Sequence, residues 1–296
     1  MRWQDIKIFN KLLISSGIIL IFSIIIGLIG IFNLNKINDN TSEIAEYFLP
    51  VVNNSTKIDK HWHEVIDYLN NFNYSSNPYF SNKVINHKDQ TAYAIGKIIE
   101  NAEFAGLSQA IKDRLLAVSA EIQKFSTLFD DYKKEVENSE KIISDFLTIK
   151  KSLINVLQSG NSNPNLQKDI FELSDFISET RLNRVPSNFN TLEILLERLK
   201  RNSSGTNYST DVLKLIKLAE DFKTSYINSR QIELKNTEIS NLILADVKGI
   251  TEVLLDSFTE NSELTNEITK TSTLYLGLSI LVVLILGIFF TYYISR

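Results

Sequence analysis

Recognition of an anion between helices needs cations aimed inward, because arginine offers a fork that matches a carboxylate and lysine or protonated histidine a point charge. Two groups of residues in this chain have the right types. Lys60, His63, Arg181 and Arg184 form the first when helices are laid out by their rise, beside Trp62 and with Lys57 and His61 as further members. Lys133 and Arg230 form the second, with Tyr93, Lys97 and Tyr226. Each group has a competing structural reading. Solvation is the default state of Lys and Arg, and arginines at a helix C-terminus are favoured by the macrodipole, which covers Lys60, Arg181 and Arg184. Lys133 and Arg230 equally suit a structural ion pair. Trp62 reads as core rather than as a ligand-stacking ring.

Other chemistries are poorly supplied. His61 and His63 are two residues apart and point to different sides of a helix, whereas helical zinc pairs use a spacing of four, so no metal site is expected there. The chain has no cysteine, which rules out disulfides, thiolate catalysis and cysteine-based metal sites. Nucleophile elbows, P-loops and Rossmann glycines are absent, and acidic pairs such as Asp130-Asp131 read as solvated faces. Neither a catalytic residue nor a cofactor is therefore expected. A net charge of −4 with no basic patch argues against nucleic acid as a partner.

The elements that must position these cations are helices. Two apolar runs, 12–32 and 274–294, have the ~20 uncharged residues that a bilayer core requires. The first exceeds the usual signal-peptide core of ~7–15 residues, so it reads as an uncleaved anchor. Arg2, Lys7 and Lys11 precede the first run and Arg296 follows the second, which predicts cytoplasmic ends at 1–11 and 295–296 and an outer region over 33–273. Ending at Tyr-Tyr-Ile-Ser-Arg, the chain leaves no room for an output domain, so it is expected to be a truncated receptor or to signal through a partner.

Proline and glycine divide the outer region at Pro78, Gly106, Gly160 with Pro164, Pro186 and Gly205, which predicts helices over 33–73, 78–104, 107–159, 165–184, 188–203 and 209–273. Strand signals are lacking. The first helix carries a seam of alternating three- and four-residue steps from Leu34 through Phe48, Trp62 and Phe72, with Pro50 expected to kink it. The last helix runs without proline into the second apolar segment, a rod of roughly 130 Å suited to carrying a small displacement.

The third and sixth helices repeat at an offset of 97. Phe125, Thr127, Phe129 and Lys133 meet Phe222, Thr224, Tyr226 and Arg230, and Ile142 to Leu157 meet Ile239 to Leu254. This reads as a duplicated short, short, long unit. Treating matched residues as level places Gly160 beside Ser257, and Arg184 beside Trp62 and Asn241, with a second layer built from the second and fifth helices. The expected fold class is all-α: two stacked four-helix bundles sharing two long helices, six helices in all, plus two transmembrane helices.

This order of helices, with Trp-Gln-Asp-Ile-Lys-Ile before the first span and Tyr-Tyr-Ile-Ser-Arg after the second, resembles the helical bimodular sensor domain of bacterial chemoreceptors and sensor histidine kinases. The resemblance implies a homodimer in the inner membrane that binds small solutes, often organic acids, within its bundles. One kinase of this architecture instead reads a periplasmic binding protein, which leaves protein docking as the alternative function.

Overall fold

In a computed structural model that describes residues 7–101, 107–159, 163–183 and 189–295, the chain forms seven α-helices and, among the described residues, no strand. They are α1 (Ile8–Glu43), α2 (Leu49–Ser75), α3 (Pro78–Asn101), α4 (Gln109–Ser159), α5 (Pro164–Asn183), α6 (Phe189–Ser203) and α7 (Ser209–Ser295). Two of them start with the same chemistry. Asn77 and Asn163 each accept a backbone N–H through Oδ1, from Tyr79 at 2.9 Å and from Leu166 at 3.1 Å. Each is followed by proline at the first helical position, where a missing N–H costs nothing.

The helical run passes Pro50 without a break. A π-helical segment, Ile44–Phe48, joins α1 to α2, and the Leu49 N–H reaches back to the Ile44 carbonyl. Proline has no N–H and its ring clashes with the carbonyl four residues back, and a widened turn relieves both problems. The expected seam is buried without a break from Phe48 through Val51, Ser55, Ile58, Trp62, Val65 and Leu69 to Phe72. Ahead of the π segment it is only partly covered within one chain: Ile37 is half-buried and Leu34 is 61% exposed.

The described residues of 58–93 and 116–247 make one compact unit, built of two layers. In the first layer α2, α3, the N-terminal half of α4 and the middle of α7 surround an aromatic core. Trp62 packs edge-on against Phe125 (5.3 Å between ring centroids), and Phe72 packs against Phe129 and Tyr132. Lys88 Nζ donates to Ser126 Oγ at 2.9 Å, linking α3 to α4. In the second layer the C-terminal half of α4, α5, α6 and the start of α7 enclose Phe146, Leu153, Leu157, Leu166, Leu173, Leu192, Leu199, Leu215 and Phe222. The fold is thus all-α, with two stacked four-helix layers that share α4 and α7.

The relation between the shared helices corrects the expected levels. Asn236 Nδ2 donates to the Leu128 carbonyl at 3.3 Å and Ser225 Oγ to the Glu135 carbonyl at 3.4 Å, so α4 and α7 run antiparallel. Phe125 lies in the first layer beside Trp62, and its repeat partner Phe222 lies in the second. The repeated positions are therefore exchanged between layers rather than held level, and α3 belongs with α2, not above it. The physical reason is the turn after Ser75. Ser76 takes a left-handed φ of 54° and its N–H donates to the Phe72 carbonyl at 2.8 Å, which closes α2 without a glycine and sends α3 back along it. Short connections make neighbouring helices antiparallel, which reverses α4 relative to the expected direction. Gly160 and Arg184, which anchored the expected levels, lie outside the described residues.

An ionic cluster joins α5 to α6 in the second layer. Arg198 bonds Asp169 at 2.9 Å and also pairs with Glu172, while Asn202 Nδ2 donates to Asp169 Oδ2 at 2.6 Å. Asp169 is 4% exposed. The Arg198 hydrogen bond holds the Glu172 carboxyl below the usual carboxylate range, against an opposing cost of desolvation. A group depressed in the folded state contributes stability that is complete above the unfolded carboxylate range and lost as pH falls through the folded value. Thermal melts are therefore expected to weaken below about pH 4, and Glu172→Gln to flatten that loss. Equal acid sensitivity in the variant and the parent would contradict this role.

The other unit, from the described residues of 1–57, 94–115 and 248–296, holds the two apolar segments. Two helices are long and apolar enough to cross a membrane, one within Ile8–Ser75 and one within Ser209–Tyr292. Their apolar side chains face outward almost without exception, as a bilayer-facing surface requires. At one point the segments touch closely: Gly30 is buried, and a Cβ built there lies 3.6 Å from Leu276 Cδ2. Small residues allow such approach between membrane helices. Further along, Thr251 Oγ1 donates to the Ser55 carbonyl at 3.4 Å.

Candidate functional site

Where the two layers of the larger unit meet, the core turns polar. A cavity of about 50 Å³ is lined by Ser76, Tyr132, Val136, Ser139, Glu140, Ile143, Arg181, Phe222, Tyr226, Ser229, Arg230 and Glu233. A shallower groove of about 370 Å³ adjoins it through Ser76, Val136, Glu140 and Arg181 and adds Lys133, Glu137, Ser75, Ser81, Phe72 and Pro78. Four helix segments supply these residues. The end of α2 brings Ser76, the centre of α4 brings Tyr132 to Ile143, the last turn of α5 brings Arg181, and α7 brings Phe222 to Glu233.

Three of the sequence-selected cations therefore converge. Arg181 makes a two-pronged pair with Glu140, Nε to Oε1 at 3.0 Å and Nη2 to Oε2 at 2.7 Å. Its side chain is half exposed, and its place in the last turn of α5 also suits the helix dipole. Arg230 pairs with Glu233, which is nearly buried. That hydrogen bond raises the Arg230 guanidinium above its ordinary range and outweighs the cost of burial. Lys133 reaches the groove half-buried and, among the described residues, makes no ion pair. Because α4 and α7 are antiparallel, Lys133 and Arg230 come level only here, at the crossover of the repeat.

The remaining candidates lie elsewhere. Lys60 is exposed on α2 in the first layer, and His63 is half exposed and sits 3.7 Å from Asp59 on its own helix. Neither joins Arg181, because Arg181 ends a helix of the second layer. His61 faces His87 of α3. Tyr93 is exposed on α3, and Lys97 pairs with Glu100 on the same helix at 2.7 Å. Tyr226 does lie with Arg230, one turn earlier on α7 and lining the same cavity. Trp62 is core, at 0% exposure, with its Nε1–H donating to the Ser240 carbonyl at 2.8 Å.

Sequence reasoning overlooked the acidic half of the site. Glu233 had a local signal, since it follows Arg230 by three residues on one helical face. Glu140 had none, since it meets Arg181 across 41 residues of sequence. Around the cavity the balance is two arginines against two glutamates, with hydroxyls from Ser76, Ser139 and Ser229 and phenols from Tyr132 and Tyr226. Among the described residues, the buried side-chain oxygens of Asn73 and Asn236, which do not line the cavity, have no hydrogen-bond partner. Polar groups in a core cost free energy unless satisfied, so a concentration of them between two apolar layers suits water or a polar guest. Chemically the arginines, hydroxyls and phenols of the site can bind and orient a polar group.

No curated protein and no solved structure matches this chain. Residues 5–141 match the family model described as a four helix bundle sensory module for signal transduction. The matched stretch takes in the first apolar segment, α2, α3 and α4 up to the start of the second layer. That part of the chain is similar to such a sensory module, and with α7 it completes a four-helix bundle.

Proposed function

We propose that the chain is the input module of a bacterial transmembrane receptor, of the helical bimodular type, and that its interlayer cavity takes a small organic acid. The ligand carboxylate competes with Glu140 for the Arg181 fork, and Lys133 adds a point charge at the mouth. No catalytic step is involved. In this reading both termini are cytoplasmic, the layers face the periplasm, and two copies pair in the inner membrane through seam positions such as Leu34 that one chain leaves exposed.

The observation that carries the proposal is the continuity of α7. One helix, Ser209–Ser295, holds Tyr226, Arg230 and Glu233 at the cavity and continues into the second apolar segment. A ligand that favours one packing of α4, α5 and α7 can shift that helix by ~1–2 Å, provided its affinity differs between the two packings.

Calorimetric titration of the full chain in lipid nanodiscs against a panel of mono-, di- and tricarboxylates tests this. Saturable heat for at least one acid, lost in Arg181→Ala, is the expected result. A folded sample with no heat for any acid would reject direct sensing and favour docking of a periplasmic binding protein, which a pull-down from periplasmic extract would then detect.

A further inference from the structure

Two imidazoles meet between α2 and α3. His61 Nδ1 lies 3.2 Å from His87 Nδ1, with ring centroids 5.4 Å apart and planes tilted by 41°. Both side chains are half-buried. Packing fixes the His87 ring, because Tyr68 stacks on it at 5.3 Å and 23° and itself stacks on Phe80 at 6.3 Å and 29°. His87 is held on the backbone side too, where Thr91 Oγ1 donates to its carbonyl at 2.9 Å.

In the absence of a cation the pair shares a single proton, with one Nδ1–H donating to the other ring's lone pair. Its spacing also fits coordination. Two nitrogens bound at ~2.0–2.1 Å to one tetrahedral metal lie roughly 3.3 Å apart. Neutral imidazole suits zinc, copper and nickel, whereas calcium and magnesium prefer oxygen.

We infer that His61 and His87 form a two-histidine site for a divalent late transition-metal ion of the zinc, copper or nickel class, bound through the two Nδ1 atoms. Among the described residues no group of three metal-ligating side chains exists, so water completes the coordination and the ion exchanges freely. Binding moves that proton from Nδ1 to Nε2 of the donor ring, so that both neutral imidazoles present an Nδ1 lone pair to the ion, and clamps α2 to α3. The site is separate from the interlayer cavity and does not depend on a carboxylate ligand. His63 takes no part, since it lies beside Asp59 on its own helix.

The test uses untagged full chain in lipid nanodiscs, stripped with chelator and titrated with Zn2+ and Cu2+. One ion per chain is expected, with micromolar affinity and a Cu2+ electron paramagnetic resonance spectrum showing two equatorial nitrogens. His61→Gln and His87→Gln should each weaken binding roughly tenfold or more and leave one nitrogen. His63→Gln should leave affinity and spectrum unchanged, and far-ultraviolet circular dichroism checks that each variant is helical. Absence of a saturable site, a one-nitrogen spectrum in the parent, or equal losses in all three variants would overturn the assignment. Should one variant fail to fold, the parent spectrum and the other variant still decide it.

Discussion

Arg181→Ala and Glu140→Gln are expected to shift the affinity for a carboxylate ligand in opposite directions. In the ligand-free chain Glu140 occupies both prongs of the Arg181 guanidinium, at 3.0 and 2.7 Å, and so stands where a ligand carboxylate would bind. Removing the fork deletes charge-assisted hydrogen bonds worth about 1.5–3 kcal/mol, which is roughly 10–100-fold in Kd. Removing only the charge of Glu140 keeps its volume and frees the fork, so binding should tighten. Both side chains are partly exposed, so solvent screening limits the gain to a few-fold. Calorimetry on the two variants reads both signs. Weakening in both would mean that the pair merely holds α4 to α5, and no change in either would remove Arg181 from the site. Arg230 offers a contrast: its partner Glu233 is nearly buried, so Glu233→Gln should lower thermal stability.

Trp62→Ala is expected to be the most destabilising single truncation in the first layer. The side chain is 0% exposed, packs edge-on against Phe125 and donates to the Ser240 carbonyl, so it ties α2 to both shared helices at one level. Truncating a buried tryptophan costs about 3–5 kcal/mol. At roughly 2–4 °C per kcal/mol for a domain of this size, the melting temperature should fall by roughly 6–20 °C. Trp62→Phe keeps most of the packing and gives up one hydrogen bond worth about 1 kcal/mol, so its melt should fall only slightly. Helicity followed against temperature in nanodiscs checks both. Similar melts for the two variants would show that the hydrogen bond, and not the packed ring, holds the level.

Periodicity in the chain was enough to determine its helices. The breakers at Pro78, Pro164 and Gly205, the seam from Phe48 to Phe72 and the two apolar runs follow from local geometry, since a helix buries one stripe and a bilayer demands about 20 apolar residues. Those signals also selected Arg181, Lys133 and Arg230 as cations of interest. Local pattern does not encode the direction in which one helix passes another. The left-handed Ser76 carries no glycine to announce it, and that one turn pairs α3 with α2 and reverses α4 against α7. Matched residues of the repeat therefore fall in different layers and come level only near Lys133 and Arg230.

Tertiary structure alone decided which side chains meet. Glu140 finds Arg181, and His61 finds His87 26 residues away rather than His63 two residues on. A side chain's own helix fixes the face it occupies, whereas its partner is set by which helix is packed against that face and in which register. Those two quantities depend on the whole packed core, where shape and burial are shared among all the helices at once.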